Sequence, residues 1–312
     1  MAERITTPFD VGSTAADVVA GLDLSGRRAL VTGASSGIGT EIVRALARAG
    51  AEVTLAVRDT GAGEQVAREI AVGAPHAALR VVHLDLSDLR SVRGLVDAWS
   101  GPLHILVGNA GVAFPPRRYT AQGLETQFAV NHLGHHVLAT GLHPALSAAD
   151  DARLVTLSSV AHLAAPVDFD DLNFRKRPWN AALAYGQSKT ATALFAVEAQ
   201  RRWAADGITA NTCHPGAVMS NLGRHLSPED TAGMPDYDFR TAEQGAATPT
   251  LLATWPGLEG KGGRYFEDGN EAPRHEPGQE SGVADHALDP EAAERLWLVS
   301  DVIAGHDGRA QE

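Results

Sequence analysis

The 312-residue chain has a single cysteine, Cys213, which excludes an internal disulfide and agrees with a reducing compartment. A buried strand thiol is the simpler reading of it than a reactive one. There is no positive excess either: 26 Lys and Arg stand against 38 Asp and Glu, a formal net charge of −12. Such a chain repels phosphate backbones and anionic lipid, so no nucleic acid and no membrane face is expected as a partner, and a small molecule remains. No apolar run approaches the roughly 20 residues of a bilayer crossing. The opening M-A-E-R-I-T-T-P-F-D lacks both the basic start and the apolar stretch of a secretory signal, so the expected location is cytoplasmic. No internal repeat is present.

Hydrophobic residues make up 44% and charged residues 21%, values of a soluble globular protein, and the length suffices for one large domain. From residue 28 onward, short β-branched runs alternate with helical patterns, which predicts a doubly wound parallel α/β sheet, a Rossmann fold in a single domain. Strands are expected at Arg28 to Thr32, Glu52 to Val57, Leu79 to Leu84, Leu103 to Gly108, Arg153 to Leu157 and Ile208 to Cys213. Helices are expected at 37–49, 61–72, 88–99, 121–142, 182–204, 241–254 and 290–303. Residues 1–26 read as an N-terminal arm with a short helix at Ala15 to Leu22, and 27–312 as the domain proper. The stretch 161–184 interrupts the alternation, and 268–289, rich in Gly, Pro and charge, reads as a surface loop.

The strand R-A-L-V-T runs directly into G-A-S-S-G-I-G and then a helix, so Gly33, Ser35, Ser36, Gly37, Ile38 and Gly39 occupy the first strand-to-helix turn. Glycine there lets the backbone approach a pyrophosphate, and the helix start offers unpaired N–H groups to it. The second strand ends A-V-R-D, which puts Arg58 where dinucleotide folds meet the adenosine ribose. A guanidinium fork matches a 2′-phosphate, so NADP(H) is the expected cofactor. Asp59 follows immediately and could itself hold a ribose, which keeps NAD(H) open.

Farther on, R-L-V-T-L ends in Ser158-Ser159, and Tyr185-Gly-Gln-Ser-Lys189 heads the longest helical pattern. Tyr and Lys four apart share a helix face, and an ammonium near a phenol lowers a pKa otherwise about 10. Alone, Y-x-x-x-K is common and carries little. Together with T-G-A-S-S-G-I-G at 32–39, Asp85-Leu86, N-A-G at 109–111, Asn131, Ser159 and P-G at 215–216, it resembles the short-chain dehydrogenases/reductases over residues 25–267. The segments S-S-V-A-H and G-G-R-Y-F-E-D are similar to the retinol dehydrogenase branch of that family.

The resemblance implies roles. Tyr185 would be the general acid/base, Ser159 would hold the substrate oxygen, and Lys189 would bind the nicotinamide ribose and lower the Tyr185 pKa. Asn131 would complete the tetrad by holding a water in a proton relay. Asp85 and Leu86 would bracket the adenine, Asn109, Ala110 and Gly111 would pass beside the cofactor, and Pro215, Gly216, Val218 and Ser220 would line the nicotinamide. A substrate lid is expected at about 217–242, where Met219, Leu222, Leu226, Met234, Tyr237 and Phe239 point to a lipophilic or ring-bearing alcohol or carbonyl. Family members pair through their two long helices, which makes a dimer or tetramer the analogous expectation.

Gly108 stands where the family often has asparagine, which removes an anchor and would loosen the fourth strand. His132, His135 and His136 have helical spacing, but packing or surface roles are preferred to a metal clamp, and no metal is expected. His162 and His214 are set aside as local hydrogen bonders. The acids of D-F-D-D lack a calcium-loop pattern and read as a solvated face. The reading is an oxidoreductase acting on CH–OH groups. Its rivals are a cofactor-binding sensor or scaffold without turnover, which an intact Ser159, Tyr185, Lys189 and Asn131 argues against, and a sugar-nucleotide epimerase or dehydratase, which usually has a larger C-terminal domain.

Overall fold

The structure, a computed structural model, describes residues 4–218 and 238–305. Six parallel strands, β1 (Arg28–Thr32), β2 (Glu52–Val57), β3 (Leu79–His83), β4 (Ile105–Gly108), β5 (Ala152–Leu157) and β6 (Ile208–His214), lie where the apolar runs place them. Two short strands missed in the sequence, β7 (Tyr265–Glu267) and β8 (Asn270–Glu271), extend one edge, with β8 antiparallel. The order β3-β2-β1-β4-β5-β6-β7-β8 reverses direction between β1 and β4, the crevice where doubly wound sheets bind ligands.

Side chains alternate along each strand, which divides the interior into two cores. Leu30 joins Ala56, Leu106 and Leu154 on one face, whereas Ala29 and Val31 join Val53, Leu55 and Val107 on the other. Both faces are covered, as a parallel sheet requires. Seven helices do most of the covering: α1 (Gly37–Arg48), α2 (Thr60–Gly73), α3 (Leu89–Asp97), α4 (Gly134–Gly141), α5 (Ala181–Trp203), α6 (Ala247–Thr254) and α7 (Pro290–Ala304). The first core takes Val92, Leu138, Phe195 and Leu296 from α3, α4, α5 and α7; the second takes Ile42, Ile70 and Leu251 from α1, α2 and α6.

Four expectations need correction. The helix expected from Ala121 starts at Thr126, because the buried Glu125 carboxylate accepts from the backbone N–H groups of Gln127 (2.9 Å) and Phe128 (2.8 Å). It then passes through a π-turn, Ala129–Leu133, before α4. The arm helix is a single turn, Ala15–Val18, and residues before it dock on β8: the Glu271 N–H donates to the Ile5 carbonyl at 2.9 Å and the Thr7 N–H to Asn270 Oδ1 at 2.8 Å. The stretch 268–289 is not a plain surface loop, since Ala272, Val283 and Ala287 are buried with Tyr265. Nor is D-F-D-D uniformly solvated: Asp171 is buried, and its carboxylate accepts from the N–H groups of Arg175, Lys176 and Arg177, closing the loop on itself.

Helix α7 lies across α5. Trp297 stacks on Phe195 with ring centroids 5.6 Å apart and meets Trp203 edge-on at 5.2 Å. Two histidines of the central helical stretch hold the same helix: His132 Nε2 lies 2.7 Å from Ser300 Oγ, and His136 Nε2 lies 2.8 Å from Asp301 Oδ1.

Candidate active site

The carboxyl ends of β1 and β4 are bolted together by the expected glycine turn and N-A-G segment. Asn109 Nδ2 donates to the carbonyls of Thr32 (2.8 Å) and Gly33 (3.3 Å), and the Ala110 N–H donates to Thr32 Oγ1 at 2.9 Å. Gly33 has φ +65°, and a Cβ there would sit 2.8 Å from Ala110 Cα. A Cβ on Gly39 would sit 2.5 Å from the Gly33 carbonyl oxygen. Only glycine lets these strands close on each other and leave bare backbone facing the crevice. Ser36, the N-cap of α1, places no side-chain hydrogen bond on the first turn, whereas Asp59 caps α2 and Asp88 caps α3. The α1 start therefore keeps donors for an anion, which fits the pyrophosphate of a dinucleotide.

Gly108 does not loosen β4. The His135 ring fills the space beside it, with Cδ2 3.1 Å from where a Cβ would stand. His135 Nδ1 faces the Asn131 carbonyl at 3.1 Å, so it carries the proton, and Nε2 receives the Thr32 hydroxyl at 2.9 Å. Burial pulls its pKa down to about 4, which keeps it the neutral strut this pattern needs. His132, His135 and His136 are all buried packing groups, and among the described residues no cluster could hold a metal.

Asn131 sits in the π-turn and clamps one residue of the loop after β4 by both its backbone polar groups. Its Oδ1 accepts from the Val112 N–H at 2.8 Å, and its Nδ2 donates to the Val112 carbonyl at 3.0 Å and to Ser188 Oγ at 2.9 Å. The loop continues to Phe114, whose φ of +54° is left-handed and strained for a phenylalanine. Its ring lies 5.2 Å from that of Tyr185. Phe114 escaped the sequence reading; A-F-P-P marks a loop but gives no sign that its ring meets a phenol.

Tyr185 and Lys189 project from the first turns of α5, whose start is capped by Asn180. The phenol is buried against Ser159, whose Oγ accepts from the Ala161 N–H at 3.2 Å, while the Ser158 hydroxyl donates to the Lys189 carbonyl at 2.8 Å. Lys189 Nζ donates to the Leu157 carbonyl at 2.7 Å and stands 5.6 Å from the Tyr185 ring centroid. Burial dominates both groups: it pushes the Tyr185 pKa up to about 12 against the lowering bond from Ser159, and pulls Lys189 down to about 8. Desolvation of the phenolate is the largest influence on Tyr185.

The remaining residues frame the crevice. Arg58 is exposed at the end of β2, and Asp59 Oδ1 accepts from the Ala62 N–H at 3.0 Å. Asp85, after β3, turns its carboxylate to the N–H and hydroxyl of Ser87, and Leu86 is buried in the first core. Gly111 faces Asn131 and Lys189, since a Cβ there would lie 3.3 Å from Asn131 Oδ1 and 3.7 Å from Lys189 Nζ. Pro215 and Gly216 follow β6, with Gly216 at φ +86° beneath the Arg240 side chain, itself ion-paired with Asp268. Val218 pairs with Arg240 across a backbone bridge and approaches Gly245, which also contacts Ile38. Ser220 and most of the expected lid, including Met219, Leu222, Leu226, Met234 and Tyr237, lie outside the described residues; Phe239 is exposed.

Comparison with known proteins identifies the family of the fold. The family profile described as short chain dehydrogenase matches residues 27–231. A Streptomyces lividans protein named as an oxidoreductase is 52% identical over 289 residues, covering 88% of this chain and 97% of that protein. Human retinol dehydrogenase 12 is 39% identical over 288 residues, covering 91% and 88%. Among solved structures, an uncharacterised protein of Mycobacterium paratuberculosis superposes with a TM-score of 0.74 at 35% identity, covering 94% and 98% of the two chains. The RhlG/NADP active-site complex of Pseudomonas aeruginosa follows at 0.63 and 29%, covering 79% and 96%.

Proposed function

This chain belongs to the short-chain dehydrogenase family, and we propose that it reduces a lipophilic or ring-bearing ketone or aldehyde with NADPH. The observation that carries the reading is the buried Tyr185 phenol, set beside Ser159 and backed by Lys189 Nζ 5.6 Å from its ring centroid. When bound, the nicotinamide supplies the hydride. Tyr185 holds the proton for the substrate oxygen, and Ser159 steadies that oxygen as charge develops on it. Lys189 and the Asn131-clamped loop orient these groups.

At neutral pH the phenol begins as an acid. With its pKa near 12 it is protonated throughout the neutral range, ready as an acid for carbonyl reduction. Alcohol oxidation needs the phenolate and should accelerate as pH rises. NADP(H) is supported by the free-standing Arg58 and by the occupation of Asp59, whose carboxylate caps α2. A lipophilic substrate is supported by Phe114 against the phenol and by the retinol dehydrogenases among the relatives.

No described helix is long and apolar enough to cross a membrane, and the cytoplasmic location we propose rests on the acidic balance and single cysteine of the sequence. Self-association, where it occurs, would use a face other than α5, which α7 covers. The test is Tyr185→Phe, assayed by NADPH absorbance against lipophilic ketones, aldehydes and aromatic carbonyls. Turnover should disappear while NADPH still binds, and retention of most activity would refute the mechanism.

A further inference from the structure

The serine that meets the phenol is itself gripped from behind. Ser159 opens a short 3-10 turn, Val160–Ala164, and its backbone carbonyl lies 2.7 Å from His162 Nδ1. His162 is fully buried. The Ala284 N–H donates to its Nε2 at 3.1 Å, and a backbone N–H can only donate, so Nε2 is bare. In the neutral ring the proton is then on Nδ1, pointed at the Ser159 carbonyl. Burial pulls the pKa of the ring down to about 4, so it is neutral across the working range.

The segment that fixes this tautomer is the one that read as a loop. Gly282, at φ +86°, donates its N–H to Glu267 Oε1 at 2.9 Å, and a Cβ there would sit 2.9 Å from the Pro273 carbonyl oxygen. That bend delivers Ala284 to Nε2 and His286 to the His162 carbonyl, which His286 Nε2 approaches at 2.9 Å. Tyr265 completes the hold: its ring lies tilted against His162 with centroids 4.8 Å apart, and its hydroxyl oxygen lies 3.2 Å from His162 Nδ1, farther than the Ser159 carbonyl and placed to share the same proton.

We infer that His162 is a positioning residue for the reaction: as the Nδ1–H tautomer set by the 282–286 strap, it fixes the Ser159 backbone and so aims the Ser159 hydroxyl at Tyr185 and the substrate oxygen. The inference rests on the reading of Ser159 and Tyr185 as the reacting pair. It assigns the C-terminal segment a part in catalysis that a passive surface loop would not have.

The test separates the two ring nitrogens. In His162→Gln the amide reaches the Nε2 position and the donor to Ser159 is lost; in His162→Asn an amide nitrogen stands near Nδ1 and can still donate to the carbonyl. With NADPH and the best carbonyl of the panel, H162Q should lose about ten- to a hundred-fold in kcat, the scale of a reacting group displaced by a fraction of an ångström. H162N should recover most of that loss, and KM for NADPH should hold in both. In a Ser159→Ala background H162Q should cause no further fall, because the two act as a unit. Equal losses in H162N and H162Q, or a full additional loss in the S159A background, would make His162 merely structural and overturn the assignment. Wild-type kcat in S159A alone would overturn the Ser159 reading and this inference with it; an inactive S159A beside a fully active H162Q would sink this inference alone. Without any substrate, 15N-histidine NMR of the whole protein should show the H162Q-sensitive ring as Nδ1–H with a bare Nε2 and no titration between pH 5.5 and 8; the opposite tautomer would also overturn it.

Discussion

Lys189→Met should abolish turnover and invert a stability difference across pH. Burial moves the lysine pKa from its ordinary 10.5 to about 8, which corresponds to about 3 kcal/mol against the charged form in the folded protein. Methionine has a similar length and no charge, so at pH 7 the variant escapes that penalty. It also loses the bond from Nζ to the Leu157 carbonyl, worth about 2 kcal/mol for a charged donor. The net at pH 7 is a variant more stable than wild type by about 1 kcal/mol. Between pH 8 and 10.5 the folded lysine is neutral while the unfolded one still holds its proton. The unfolded state then binds more protons, so wild-type stability rises with pH and the variant lacks this term. By pH 10 wild type should be the more stable of the two, by about 1 to 2 kcal/mol. Urea unfolding of both cofactor-free proteins at pH 7 and pH 10 measures the crossing, because every other titrating group is shared. A gap of the same sign and size at both pH values would refute the reasoning and mean that Lys189 is solvated in its folded site.

Three further outcomes follow from the cradle and the core. Arg58→Ala should weaken NADPH binding about tenfold or more and leave NADH nearly untouched, the value of one forked, charge-assisted contact; equal losses in fluorescence titrations would place 2′-phosphate recognition elsewhere. Gly39→Ala puts a methyl 2.5 Å from the Gly33 carbonyl oxygen, so it should destabilise by about 1 to 3 kcal/mol and weaken both cofactors; an unchanged urea midpoint would show that the turn has room. Trp297→Ala should cost about 3 to 5 kcal/mol by emptying the space between Phe195 and Trp203. A loss under about 1 kcal/mol in the same unfolding assay would mean that α7 is a loose appendage and not part of the core.

Much of the frame was legible because parallel strands buried on both faces are nearly continuous apolar runs. Arg28–Thr32 and Glu52–Val57 match their expected bounds for that reason. What failed was legibility of context. Ala121–Leu142 has apolar spacing throughout, yet its first residues are turned out of the helix by a buried carboxylate at Glu125, a polar residue no apolar pattern would place inside. β7 and β8 are three and two residues long and sit among glycines, too short for any periodicity. The stretch 268–289 looked solvated because its buried members are alanines and one valine; small residues bury well against Tyr265 but raise mean hydropathy little.

The same division runs through the site. Ser159, Tyr185, Lys189 and the glycine turn could be picked out because the roles proposed for them need fixed residue types at fixed spacing. The residues that hold them face no such demand. His135 takes up the space opened by Gly108, Asp171 closes the inserted loop, and His162 ties Ser159 to a strap more than 120 positions later in the chain. Each is a polar group buried at a position where an isolated reading favours a surface role or a local bond. Each becomes interpretable only through its partners: a carbonyl on one nitrogen and a hydroxyl or an N–H on the other, or three backbone donors on one carboxylate. A buried polar residue that satisfies every bond within reach is thus the mark of a support in this fold, and it is in those supports, not in the motif, that two enzymes sharing the same reacting set can differ in how firmly they hold it.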